Sequence, residues 1–589
     1  MKRFKDPVYG YIEVKKDIVY SVVDTPEFQR LRYIKQTSFV PVYAAALHNR
    51  FIHSLGVYHL GKKAFEAMLR NYRETKNPTE EIIDYLRAAQ ETFELACLLH
   101  DVGHAPFSHS GENFYLDEQE TIYTQLKNAV DDSSFSDDMD VYQKRFQPAA
   151  AHEIMSAVVS LERFGCLFDK DPLKKSLFAR CITGYQYRDS EQSIEHAVYN
   201  ALISLLHSST IDVDRLDYLI RDAFVMGYNS ISIDYNRLLN SVTLVQVRDE
   251  KSVSIQLAFQ KSALSVIENV VYARDSEKKW IQNHPVILYE VFLIQRTLQE
   301  VKTYYKEKTK RELFSKQSLF PFDNRNPYTD IGSICEQIDF CVDELTKTTP
   351  NKKVIESLTK IKSNLQTHQQ LIDISLLCDD DIIHLAKIID KECCKQLFNR
   401  NQRLHPVWKS ESEYDVYLDG LIGSDVHPKL MQQIDALTKF LNEEAPEPFI
   451  NQVAIDYCEK QLQAVKESKL SPENMKDMEN RYESLKKWLC GFHRIKEEQG
   501  LSEFCFALIK TDRFVSGYKK KDLGNIPIYF PESEMNYPLS RLINLFSVKD
   551  NVRDDFFYVF YHREQNEHID AAQVGKALAK LTLEIADMQ

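Results

Sequence analysis

The sequence predicts a mainly α fold: a helical core carrying one β-hairpin, a helical extension, and a small C-terminal α+β lobe. Three observations carry this. Apolar residues recur at helical spacing over most of the chain up to residue 223 and again, among Lys and Glu, over 331–398 and 425–498. Period-two alternation is concentrated in SVTLVQVRDEKSVSIQLAF at 241–259, a hairpin turning at Asp249-Glu250-Lys251. Strand-like SEFCFALIK, IPIYFP and DDFFYVFYHRE crowd the stretch 501–589, interleaved with helices near 537–547 and 569–587.

Taken in order, 19–36 and 53–72 read as helices, followed by 80–100, 149–164 and 196–223. The helix over 80–100 is apolar from Phe93 to Leu99, and Gly103 and Pro106 stop it. The acidic DDSSFSDDMD at 131–140, inside the stretch 113–150, reads as a solvated loop or, alternatively, as a lid. The Tyr- and Lys-rich run TYYKEKTKRELFSK, with Pro321 and Pro327 behind it, marks a boundary near 312–328. The expected domains are therefore 1–312, 313–500 and 501–589.

Composition narrows the function classes. Hydrophobic residues at 43% and charged residues at 27% are ordinary globular usage. No run approaches the roughly eighteen apolar residues of a membrane span, and MKRFKDPVYG lacks the apolar core of a secretion signal, so a cytoplasmic protein with no membrane partner is expected. Eleven cysteines without CxxC spacing point to free buried thiols. A net charge of −13 disfavours a broad nucleic-acid surface but is compatible with local basic patches around a small anion.

The chemistry centres on His100-Asp101, where an ending helix can point an imidazole and a carboxylate into one cleft. A metal site needs further ligands, and His53, in the helix after Asn49-Arg50-Phe51, and Asp214, in IDVDRLDY, supply them. Two imidazoles and two carboxylates suit a divalent ion that polarises a phosphoryl oxygen and acidifies a water. Arg50, His104, His109 and Arg215 are the cations nearest these ligands in sequence and could offset phosphate charge. Asp214, Tyr218 and Asp222 fall at i, i+4 and i+8 and share a helix face. A histidine such as His152, in AAAHEIM, meets the need for a proton donor near neutrality.

The segments TPEFQRLRYIKQ, HNRFIHSLGVYHLG, LLHDVGHAPFSH and IDVDRLDYLIRD resemble, in order and spacing, the HD-domain deoxynucleoside triphosphate triphosphohydrolases, the family of the SAM- and HD-domain-containing enzyme of animals and its bacterial relatives. The resemblance is strong over about 1–290 and implies an HD-domain helical core. It implies His53, His100, Asp101 and Asp214 as ligands of a divalent ion (Mn, Fe, Zn, Ni or Mg), with Mg on the substrate phosphates. The implied reaction is water attack on the α-phosphorus of a dNTP. It assigns Gln36, Tyr218 and Asp222 to the sugar end, Arg274 to a phosphate, and catalysis to His152 supported by Glu112, with His109 the next candidate donor. Glu112 stands where the family has Asp, so the dyad is expected to be shifted or to close only with substrate. The family's sugar-packing Tyr is replaced here by Gln282, beside Trp280 and His284, which leaves discrimination against ribonucleotides open. Lys2, Asp24, Gln29 and Arg32 match positions that read a guanine nucleotide activator at a subunit interface, implying a homo-oligomer (dimer, tetramer or hexamer). Asp24 before Thr25-Pro26 also fits a helix N-cap. Two other function classes stay open: a phosphodiesterase or nuclease acting on another nucleotide or on single-stranded nucleic acid, and a nucleotide-sensing binding protein.

Overall fold

The computed structural model describes residues 1–145, 149–168, 171–208, 211–228, 231–249, 252–309, 312–314, 338–347, 352–372, 376–423, 426–468, 471–512, 526–530, 535–542, 555–564 and 567–586. The chain is mainly helical with small sheets. It divides into two units, each assembled from separate stretches: Met1–Ala273, Leu298–Ile389 and Tyr518–Leu545 in one, Arg274–Thr297, Asp390–Gly517 and Phe546–Gln589 in the other. The expected domains are contiguous segments; these units are not.

In the first unit, helix Arg50–Arg73 packs along Glu80–Leu99 and against Val213–Met226, and Glu80–Leu99 packs in turn on Pro172–Thr183 and Ile194–Leu206. The apolar spacing explains the packing. Ile82, Ile83, Leu86, Ala89 and Phe93 form one buried stripe, and from Leu95 to Leu99 every side chain is buried. Each such Leu or Phe contributes about 1.5–3 kcal/mol on leaving water. The hairpin expected at 241–259 is present as Val242–Asp249 paired antiparallel with Ser252–Gln260. An N-terminal hairpin, Lys2–Asp6 with Gly10–Val14, was not foreseen; it turns at Gly10 with φ +81°.

Four expectations are corrected. The helix over 19–36 is broken into turns at Val19–Val23, Pro26–Gln29 and Arg30–Tyr33, because Pro26 has no N–H to continue a helix and starts a new one instead. Thr25, not Asp24, is its N-cap residue. The helix over 196–223 is two helices, Ile194–Leu206 and Val213–Met226, divided where the Asp212 carboxylate accepts from the Arg215 amide at 2.7 Å and caps the second. The acidic 131–140 stretch is not a solvated loop. Ser133–Arg145 is a helix that buries Phe135 and Met139 and pairs Asp138 with the buried Arg180 at 2.9 Å.

The C-terminal strands also separate. Pro527–Phe530 joins the first unit's sheet, parallel to Ser252–Gln260 and antiparallel to Met535–Pro538. Phe506–Asp512 and Asp555–Tyr561 pair with each other in the second unit, with His405–Pro406 on the far edge of Asp555–Tyr561. Among the described residues no helix is long and apolar enough to cross a membrane.

Candidate active site

Asn49 caps helix Arg50–Arg73 by accepting from the Ile52 amide at 3.2 Å, which places His53 in the first turn. His100 is the C-terminal cap residue of Glu80–Leu99, and Asp214 lies in the first turn of Val213–Met226. Three helix ends thus converge. His53 Nε2 lies 3.0 Å from Asp214 Oδ1 and 3.5 Å from Asp101 Oδ2. His100 Nε2 lies 3.3 Å from His53 Nε2, 3.5 Å from Asp101 Oδ1 and 3.6 Å from Asp214 Oδ1.

These donors fit a divalent ion. Ligand atoms held at about 2.0–2.2 Å from one centre lie about 3–3.6 Å from each other, and the distances from the two Nε2 atoms to one another and to Asp101 and Asp214 fall in that range, with His53, His100 and Asp101 forming the closest group. The second nitrogen of each imidazole is committed elsewhere: His100 Nδ1 donates to the Cys97 carbonyl at 3.0 Å, and His53 Nδ1 to Asp217 Oδ2 at 2.7 Å. Both Nε2 lone pairs are therefore left for a shared ligand. Asp217 is itself gripped by Arg221, at 2.9 and 3.0 Å, and Arg221 also pairs with Asp6 at 2.8 Å. Gly56 permits this packing, since a Cβ there would collide with the Asp217 carboxylate and the Arg221 guanidinium.

Asp217, Arg221 and Asp6 were not foreseen. Asp214, Asp217 and Arg221 at i, i+3 and i+7 carried the signal for two of them; Asp6 arrives from a distant hairpin that local spacing does not reveal. Replacing Asp217 by Asn should weaken metal binding by about 10–100-fold while the helices persist, because the carboxylate sets the tautomer and basicity of His53. Competition against a chelator of known affinity measures it; unchanged affinity would remove Asp217 from the site.

Beside this centre stands a second cluster of His104, His109, Glu112 and His152. His104 Nε2 is 3.2 Å from Asp101 Oδ1, and its ring stacks on His152 with centroids 4.1 Å apart. Glu112 Oε1 lies 2.5 Å from His109 Nδ1 and 2.8 Å from His152 Nδ1, the latter an ion-pair distance with the ring turned out of hydrogen-bond alignment. The longer glutamate thus comes within ion-pair distance of His152. Burial works against a charge on His152, but the Glu112 carboxylate outweighs it and raises the imidazole to about 9. Burial likewise opposes ionisation of Asp101, yet Arg50, His100 and His104 hold its carboxyl well below the usual range.

Arg50 is buried, donating to Asp101 at 2.7 Å and to Ser108 Oγ at 2.9 Å; its Nη2 is buried with no hydrogen-bond partner among the described residues. Phe107 and Ser108 adopt φ of +57° and +54°, a left-handed conformation that costs non-glycine residues about 1–3 kcal/mol each and persists only when neighbours enforce it. Gln36 and Asp222 flank His48, another residue not foreseen. The Gln36 amide donates to the His48 carbonyl at 3.0 Å, and His48 Nε2 meets Asp222 Oδ1 at 2.6 Å. The Gln36 side-chain oxygen is buried and without a partner among the described residues. Tyr218 is half-buried on the Asp214 helix, and Arg215 pairs with Asp212 at 3.4 Å. Arg274 opens the second unit. Near the N-terminus, Lys2 pairs with Asp24 at 3.3 Å, Arg32 donates to Gln29 at 2.7 Å, and the Arg32 guanidinium lies 3.5 Å over the Phe51 ring.

Residues 50–160 match the HD domain family. An uncharacterised protein of Bacillus subtilis, YwfO, is 28% identical over 309 residues, covering 52% of this chain and 57% of that protein. Deoxynucleoside triphosphate triphosphohydrolase SAMHD1 of Gallus gallus is 29% identical over 43% of this chain and 38% of its own length, and the Homo sapiens protein of that name 26% identical over 49% and 42%. The match thus spans about half the length of these relatives or less. A crystal structure of a hypothetical protein from Aquifex aeolicus shares the fold, with a TM-score of 0.51 at 16% identity, covering 98% of this chain and 99% of that one.

Proposed function

We propose, from the HD domain that residues 50–160 constitute, that this chain is a divalent-metal-dependent hydrolase of deoxynucleoside triphosphates, releasing the deoxynucleoside and intact triphosphate. The carrying observation is the four-donor centre with the Glu112–His152 pair beside it, joined through Asp101 and His104. Distant relatives named as dNTP triphosphohydrolases support the substrate class. His53, His100, Asp101 and Asp214 would hold the ion, which when bound supplies a Lewis acid and lowers the pKa of a water toward neutrality.

The chain's own residues supply the rest. Arg50, with one buried nitrogen unused, and His104 face the phosphates beside Asp101, with Arg215 and Arg274 assigned to the same charge. Gln36, Tyr218 and Asp222 bind the sugar end. As the bond from water oxygen to the α-phosphorus forms and the bond from that phosphorus to O5′ breaks, the water's proton leaves for solvent and His152 gives its proton to O5′, recovering one from solvent afterwards; Glu112 keeps His152 charged until the transfer.

Incubation with Mn²⁺ and each of eight NTPs and dNTPs, with tripolyphosphate as the product sought, tests this; cleavage of a single-stranded oligonucleotide instead would favour a nuclease. The pH profile has a fixed sign. The active form of His152 is protonated, so kcat should hold below pH about 9 and fall above it. Glu112→Gln should move that alkaline limb toward the ordinary imidazole value. A limb unmoved by the substitution would separate Glu112 from the proton donor.

The same reading includes a homo-oligomer with a guanine nucleotide bound at Lys2, Asp24, Gln29 and Arg32. Asp24→Ala should then abolish stimulation of dATP hydrolysis by dGTP, while the unstimulated rate stays within about twofold, since a ligand bridging subunits favours assembly by mass action. Equal dATP turnover with and without dGTP in the unmodified protein, at one unchanging oligomer size, would dismiss the activator.

A further inference from the structure

We propose that Asp379, outside the HD domain, is a positioning residue for the hydrolysis proposed above: its carboxylate clamps the two backbone segments that present Gln36 and His104–Ser108 to the site. Asp379 is buried at the start of helix Asp379–Ala386 in the first unit. One oxygen accepts from the Phe107 amide at 2.6 Å and the other from the Lys35 amide at 3.0 Å. Capping does not account for it. The amide of the cap residue Cys378 is satisfied by Asp381, at 2.9 Å, leaving Asp379 to reach across to the two loops.

The neighbouring contacts share this direction. Arg30 donates to the Leu377 carbonyl at 2.7 Å and to the His104 carbonyl at 2.8 Å, a second strut between the same segment and the same loop. Ser108 donates to the Lys35 carbonyl and accepts from Arg50 Nε at 2.9 Å, so the clamp extends to the guanidinium that pairs with Asp101. Between these contacts lie Phe107 and Ser108, both in the left-handed region. The Phe107 amide, held by Asp379, and the Ser108 hydroxyl, held on the Lys35 carbonyl, keep this strained pair of non-glycine residues in place. Loss of the clamp would let the loop relax and carry His104 and Arg50 out of register with the phosphates, while the metal ligands on their helix ends keep their places.

The test is Asp379→Asn, which preserves shape but turns an amide donor toward a backbone N–H. Metal content should equal that of the unmodified protein, KM for dATP should change by less than about threefold, and kcat should fall by about 10–100-fold, as a misplacement near 1 Å costs. Hydrogen–deuterium exchange of peptides covering 104–110 should quicken by about tenfold while those from helix Arg50–Arg73 keep their protection. Unchanged kcat and exchange would overturn the proposal, and so would a uniform rise in exchange throughout the unit, which marks a merely structural residue. Should Asp379→Asn fail to fold, Arg30→Lys, which keeps the charge and drops one carbonyl contact, decides by the same readings. If the unmodified protein releases no triphosphate from any dNTP, the function reading fails alone, and the exchange of 104–110 still decides the clamp.

Discussion

Asp101→Asn is expected to eliminate turnover, by about 10⁵-fold or more within the total acceleration that enzymes achieve, together with stoichiometric metal. Asp101 serves both clusters: its two oxygens lie 3.5 Å from the nitrogens of His53 and His100, and it meets His104 at 3.2 Å and Arg50 at 2.7 Å. Removing its charge takes a ligand from the ion and leaves the buried Arg50 without its counter-charge, a loss that costs about 3–5 kcal/mol when one partner of a buried pair is removed. The variant should therefore melt earlier as well. His53→Ala separates the two effects, since it removes a ligand and spares the Arg50–Asp101 pair. Elemental analysis and activity on the same preparations check both. Retention of metal at one per chain with unaltered turnover in either variant would displace the centre from the mechanism.

His152→Ala should behave differently. It removes an imidazole outside the set of proposed metal ligands; its contacts are the Glu112 carboxylate at 2.8 Å and the His104 ring at 4.1 Å. Metal content and KM should hold while kcat falls by about 10²–10⁴-fold, the usual contribution of a positioned proton donor. The alkaline limb near pH 9 should vanish with it, because the group that titrates there is gone. An unchanged kcat would transfer the role to His109, which shares Glu112 at 2.5 Å.

What the sequence disclosed of this site follows from where each contact originates. His53, His100, Asp101 and Asp214 were legible because helix caps and stops are local, and a polar residue beside an apolar run stands out. The break before Val213 was equally local: Asp212 is a residue type that caps helices, and its signal was overridden by the apolar runs on either side. In 131–140, acidic content masked Phe135 and Met139 at i, i+4, the spacing of a buried face, and the Asp138–Arg180 pair that rewards it is non-local. Asp6 behind Arg221, His48 behind Asp222, and Asp379 behind Phe107 lie far from their partners or on irregular backbone, where no periodicity announces them. The same holds for Pro527–Phe530, whose place beside Ser252–Gln260 depends on a parallel pairing across nearly half the chain.

Hydrolysis of dATP in ¹⁸O-labelled water, followed by ³¹P NMR and mass spectrometry of both products, tests the central claim most directly. Attack at the α-phosphorus with departure of O5′ places one ¹⁸O on a terminal phosphoryl group of tripolyphosphate and leaves the deoxyadenosine unlabelled, in equal amounts. Labelled nucleoside, or deoxyadenosine monophosphate with pyrophosphate, would contradict it, as would the absence of turnover by a preparation shown to carry its metal.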